Sequence, residues 1–127
     1  TPTEREARYA LFEQDTPIRN LIGNLSKKAK AKNVILKLGE RGLISMSQKK
    51  SDYISLDPFV DNLVDSNGAG DALLAYSTSV LFTTKSLIIA SIIGLIAASC
   101  KCEIKGNQPV TINQIMNKFD NIQNKYK

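Results

Sequence analysis

The chain has 127 residues, 43% of them hydrophobic and 23% charged. That balance belongs to a globular chain able to bury a core and excludes a disordered or fibrous one. Seventeen Lys and Arg against twelve Asp and Glu leave a net charge of +5, which permits anionic partners without specifying one. The only cysteines are Cys100 and Cys102, and there is no histidine, so neither a disulfide framework nor a four-ligand metal site can be assembled. Reduced, structural thiols in the cytoplasm are expected.

Thr3 and Glu6 have the spacing of a capping box, which predicts a first helix along TEREARYALFEQ. Thr16-Pro17 reads as an N-cap followed by proline at the first helical position. Behind it, IRNLIGNLSKKAKA carries Ile18, Leu21, Ile22 and Leu25 as one helical stripe. The lysines of SKKAKAKN, residues 26–33, read as a solvated helix end, where the macrodipole favours cations. A nucleic-acid surface would interleave aromatics among them, and this run has none, so no nucleic-acid partner is expected.

The period then changes. NVILKLG is a β-branched apolar run closed by Gly39, a buried strand. GERG is a turn, and GLISMS and DYISLD are strands of a hairpin around a polar QKK tip. DPFVDNLVDSNG is a loop. Residues 70–82 and 86–100 are predicted helices. The second is apolar around its whole circumference over LIIASIIGLIAASC. Fourteen helical residues reach ~21 Å, short of the ~30 Å hydrocarbon core, so a buried core helix is expected and no membrane partner. Thr111 and Gln114 form a last capping box ahead of TINQIMNKF. Helices and strands alternate without repeats or linkers, which gives the α/β class.

The chemistry concentrates in DSNGAGDALLAY, residues 65–76. Gly68, Ala69 and Gly70 lead directly into a helix. A helix start has unpaired N–H groups and partial positive charge, and glycines let an anion approach closely. The turn is therefore suited to a phosphate or a developing oxyanion. Asp71 falls in the first helical turn, where the dipole favours negative charge and a carboxylate is available as a base for an attacking hydroxyl. On spacing alone an alternative stays open, because acids and glycine turns are common at helix starts. The stretch is neither a Walker A motif nor a dinucleotide fingerprint.

DSNGAGDALLAY closely resembles the C-terminal signature of the ribokinase, or PfkB, family of carbohydrate kinases. Asp65, Ser66, Gly68, Ala69, Gly70, Asp71 and Ala75 fit it, while Tyr76 stands where that family usually has Ala or Gly. LKLGERG, residues 36–42, resembles its strand and turn near the nucleotide phosphates, with Lys37 where Thr is frequent. TPTEREAR resembles its Asn-x-x-Glu segment, with Glu6 matching and Thr3 in place of the Asn. EIKGNQPVT resembles the late loop bordering the adenine and a monovalent-cation site.

The resemblance implies that residues 1–127 are the C-terminal, nucleotide-side portion of a Rossmann-like, three-layer α/β/α ribokinase fold. The first residue is not Met, and the family's sugar-binding N-terminal half has no counterpart, so a piece of a longer protein is expected, inactive by itself. The implied reaction is ATP-dependent phosphorylation of a sugar or sugar phosphate hydroxyl. Asp71 would be the general base and Gly68, Ala69 and Gly70 the anion hole. Gly39 and Gly42 would lie near ATP, Glu6 would serve Mg2+ through water, and Asp65 a monovalent cation such as K+. Glu6 also reads as a plain helix cap, Gly39 and Gly42 as a plain turn, and Asp65 as a loop cap. TPTEREAR and LKLGERG lean towards kinases of the heptose phosphate type. The implied partners are a small sugar and ATP, and self-association through the apolar face left by the missing half. The alternative, suggested by Thr3, Lys37 and Tyr76, is a non-catalytic nucleotide-binding or assembly module.

Overall fold

In a computed structural model, which describes residues 1–50, 52–125 and 127, the chain divides into two units, Thr1–Asp57 and Pro58–Lys127. The first contains helices α1 (Glu4–Leu11) and α2 (Ile18–Ala29), then strands β1 (Asn33–Lys37), β2 (Leu43–Ser47) and β3 (Asp52–Leu56). The strands form one sheet in the order β1-β2-β3, antiparallel throughout. They follow one another as a meander, so the expected helix–strand alternation is a meander preceded and followed by helices.

The Thr3–Glu6 capping box forms as the spacing predicts. The Thr3 N–H donates to Glu6 Oε2 at 2.7 Å and the Glu6 N–H donates to Thr3 Oγ1 at 3.2 Å. The helix stops at Leu11, short of the expected run, because Phe12 turns left-handed (φ 58°) and its N–H closes on the last turn. Thr16 is not the cap of α2. Pro17 holds that position with extended backbone (ψ 143°), its carbonyl accepts the Leu21 N–H, and no side chain caps the helix. The Thr16 carbonyl instead accepts from Arg8 Nη1 at 3.0 Å. Lys27 and Lys28 lie in the last turn of α2, as expected of a solvated helix end.

Pairing of Val34 with Met46 and of Leu36 with Ile44 puts these four side chains on one face of the sheet. They pack with Ala7, Leu21 and Ile22 to make the core of this unit. Full burial of an aliphatic side chain of this size stabilises by roughly 1.5–3 kcal/mol. The predicted GERG turn is a single 3-10 turn over Gly39–Arg41.

The second unit is helical: α3 (Ala69–Thr84), α4 (Leu87–Cys102) and α5 (Ile112–Lys125). Helices α3 and α4 approach closely at Gly94, where a Cβ would stand 2.9 Å from that of Ser77. Ile96, Ala97, Cys100, Val110 and Ile115 form the core. The Thr111–Gln114 capping box is formed. Helix α4 buries its second half, from Gly94 to Lys101, but leaves Ile88 and Ile89 exposed in its first turn. The expectation of burial around the whole helix therefore holds only for its C-terminal half. No helix among the described residues is long and apolar enough to cross a membrane.

Candidate functional site

The approach to α3 is pinned from behind. The Val64 and Asp65 N–H groups both donate to the Cys102 carbonyl, at 2.8 and 3.0 Å. Asp65 Oδ1 then accepts the Asn67 N–H at 3.0 Å, an Asx turn. Gly68 caps the helix in a left-handed conformation (φ 78°), which only glycine adopts without strain. Its carbonyl accepts the Ala72 N–H, which starts the helical ladder.

The first-turn amides are not equivalent. The Ala69 N–H donates to the Ser66 carbonyl at 3.2 Å. Of the three residues expected to hold an anion, Ala69 spends its N–H on the turn, while the Gly68 and Gly70 N–H groups, like that of Asp71, have no acceptor among the described residues. Asp71 is solvent-exposed in this first turn.

A cleft of about 310 Å³ opens beside it, lined among others by Gly68, Asp71, Tyr76, Lys101 and Asn107. Tyr76, the departure from the signature, has a specific partner: its hydroxyl donates to the Val110 carbonyl at 2.6 Å. Lys101 was not singled out by the sequence, although it is the first charge after a wholly apolar run. It is only 4% exposed, and its Nζ donates to the Gly106 carbonyl. Its stem lies against the helix cap, with Cε 3.0 Å from where a Gly68 Cβ would be.

The other sequence-predicted residues lie in the first unit. An open cleft of about 710 Å³ is lined by Thr3, Glu6, Arg8, Lys37 and Gly39, among others. Glu6 is held ionised below the usual carboxylate range, first by the Thr3 backbone N–H, then by its hydroxyl, and further by the Lys37 charge. Its Oε2 is taken by the cap, and its other oxygen has no partner among the described residues. Glu4 is already engaged by Arg8 and Arg41. Magnesium accepts one or two carboxylates and keeps several waters, so Glu6 fits a single, water-mediated contact with that ion.

The two turn glycines differ. Gly39 (φ 63°) has open space where a Cβ would point and lines the cleft. Gly42 does not line it; a Cβ there would stand 2.0 Å from the Leu56 carbonyl oxygen. Gly42 is needed for the close approach of β3, which favours the plain-turn reading for that position.

Cys100 and Cys102 are both free thiols, as expected. Burial, and then the Glu103 carboxylate, push both thiols up from their usual range. Elsewhere in this unit, Lys118 Nζ lies 2.6 Å from both Asp61 and Glu103. Burial alone would lower its pKa, but the two carboxylates outweigh that and raise it. Asp61 in turn is held down at about 2 by Lys118 and Lys125.

A family model described as pfkB family carbohydrate kinase matches residues 1–113. No curated protein matches the chain. Among solved structures, ribokinase from Thermotoga maritima matches with a TM-score of 0.81 at 22% identity, covering 94% of this chain and 41% of that one. Escherichia coli phosphofructokinase-2 in complex with potassium matches at 0.84 and 20% identity, covering 96% and 40%. Arabidopsis thaliana ribokinase complexed with ribose and ATP matches at 0.78 and 23% identity, covering 92% and 39%. The chain thus spans about 40% of the length of these proteins and shares their fold, which bears out the expected ribokinase-like α/β portion.

Proposed function

The chain belongs to the pfkB family of carbohydrate kinases, and we propose that it forms the C-terminal, nucleotide-side portion of an enzyme that phosphorylates a sugar or sugar phosphate hydroxyl from ATP. In the proposed reaction Asp71 accepts the proton of the attacking hydroxyl. The hydroxyl oxygen bonds to the γ-phosphorus, the bond from that phosphorus to the bridging oxygen breaks, and ADP leaves. The free N–H groups of Gly70 and Asp71 meet the charge on the phosphoryl oxygens, where fixed donors stabilise a transition state most effectively. Gly68 supplies the left-handed cap that starts the helix there, and its missing side chain makes room for the Lys101 stem. In the first unit, Glu6 and Gly39 serve the nucleotide side, and bound magnesium would supply charge neutralisation for its phosphates.

The observation that carries this reading is the start of α3: an exposed carboxylate, two amides without acceptors and a left-handed glycine, all at the edge of one cleft. An ATP donor and two free thiols fit the cytoplasm. Leu74, Phe82, Ile88 and Ile89, all exposed, suit self-association. The test is transfer of labelled γ-phosphate from ATP to a panel of pentoses, hexoses and heptose phosphates by the full-length protein. Labelling of a sugar supports the reading, and ATP binding without transfer to any of them points to the non-catalytic module.

A further inference from the structure

Helix α4 is apolar until Cys100 and then buries a charged side chain. A lysine at 4% exposure is unusual, because an ammonium withdrawn from water is costly unless it is paired. No salt bridge joins Lys101 to a carboxylate among the described residues. Its partner is instead a backbone carbonyl, that of Gly106. A positive charge satisfied by a carbonyl oxygen is the coordination chemistry of a small monovalent cation.

The position of this ammonium matters as much as its chemistry. The Lys101 stem runs under Gly68, so the left-handed cap of α3 rests on it. Its head holds Gly106, at the beginning of a loop whose other end is held by the bond from the Tyr76 hydroxyl to Val110. The 106–110 loop is therefore fastened at one end by Lys101, whose stem lies against the cap of α3, and at the other by Tyr76, about two turns along that helix. Asp65 is tied to the end of α4 next to Lys101, through the bond from its N–H to the Cys102 carbonyl.

This is also where a monovalent cation was expected, at Asp65 and the loop bordering it. The donor set does not fit a second cation. The Gly106 oxygen is already taken by an ammonium, Asp65 Oδ1 is engaged by the Asn67 N–H, and another positive charge sharing that carbonyl would be repelled at short range. We propose that the Lys101 ammonium is a built-in monovalent cation, which orders the 106–110 loop against the start of α3 so that the protein needs no potassium there. The link to turnover rests on the kinase reading above, but the ordering of the loop does not.

Thermal unfolding of the full-length protein, followed without substrate, tests this independently of catalysis. Wild-type protein is expected to melt at one temperature in potassium, sodium and tetramethylammonium chloride of equal ionic strength. Lys101→Met keeps much of the stem's bulk and removes the charge. In tetramethylammonium chloride it is expected to melt lower by about 2–4 °C, a typical shift for loss of one such interaction in a domain larger than this chain. Potassium or methylammonium should restore part of that loss in a saturable way, and Lys101→Arg should melt close to wild type in every salt. Saturable stabilisation of the wild type by potassium over sodium would overturn the inference, as would a Lys101→Met protein with no ion response. If Lys101→Met does not fold, the potassium titration of the wild type decides alone: a flat response upholds the built-in cation, and a saturable one overturns it.

Discussion

Replacing Asp71 by Asn separates a catalytic carboxylate from a helix-start decoration, because the two roles predict effects of different size in different assays. The amide is nearly isosteric, so the left-handed Gly68, the bond from Ala69 to Ser66 and the free amides of Gly70 and Asp71 all remain. Asp71 is exposed and makes no ion pair among the described residues, so its structural contribution is limited to the macrodipole, about 0.3–1 kcal/mol at an exposed site. As a general base its loss should lower the turnover number by about 10²–10⁴-fold, which at 1.36 kcal/mol per tenfold is roughly 2.7–5.4 kcal/mol of barrier. Michaelis constants for ATP and sugar should stay within a few-fold, since the interaction belongs to the transition state. Steady-state kinetics and thermal melts on the same full-length variant read both quantities. Turnover within a few-fold of wild type, together with a lowered melting temperature, would show that Asp71 serves only the helix and would refute the catalytic assignment.

Gly42→Ala is expected to cost at least about 3 kcal/mol, since it adds left-handed strain to a methyl placed 2.0 Å from the Leu56 oxygen; a urea midpoint within error of wild type would contradict this. Asp61 is held at about 2 against an ordinary 3.8, so its contribution to stability is fully present above about pH 4 and lost as pH falls towards 2. Lys118→Met removes the first of the two lysines responsible, so melting temperature should fall less steeply in the variant than in wild type between roughly pH 5 and 2; parallel curves would refute the coupling. The 127-residue chain by itself is expected to transfer no phosphate to any sugar, because it spans about 40% of the length of the kinases it matches and transfer requires two positioned substrates. Robust ATP-dependent sugar phosphorylation by it would overturn that.

Features that depend on residues three or four apart were legible in the sequence. Both capping boxes, Thr3–Glu6 and Thr111–Gln114, formed as expected because each partner lies within one helical turn. The glycine turn before Asp71 was legible for the same reason. Features that depend on what another segment brings close were not. Gly39 and Gly42 look alike in GERG, yet only the pairing of β2 with β3 places the Leu56 carbonyl over one of them. Thr16 is a good capping residue by type, but the extended backbone of Pro17 moved the cap onward. Apolar residues all round α4 expressed a preference for burial without showing how much of the helix the rest of the unit could cover. Lys101 could be noticed as a charge ending an apolar run, but its partners lie at Gly68 and Gly106, and nothing local points to them.

The departures from the signature also look different once their contacts are known. Thr3 stands in place of an Asn, and Asn and Thr are both N-cap residues whose side-chain oxygen accepts a first-turn N–H. Thr3 does this for Glu6, and the Glu6 carboxylate returns the bond and is thereby fixed in place. The exchange therefore keeps the orientation of the one residue in that segment with a charge to offer. Tyr76 is larger than the Ala or Gly expected, and its hydroxyl crosses to Val110 and closes the loop beside Asp71. Both departures add order next to the residues proposed to act. Neither departure removes a group that the kinase reading uses, since Glu6 keeps a fixed carboxylate and Asp71 stays exposed, so neither position by itself favours the non-catalytic module.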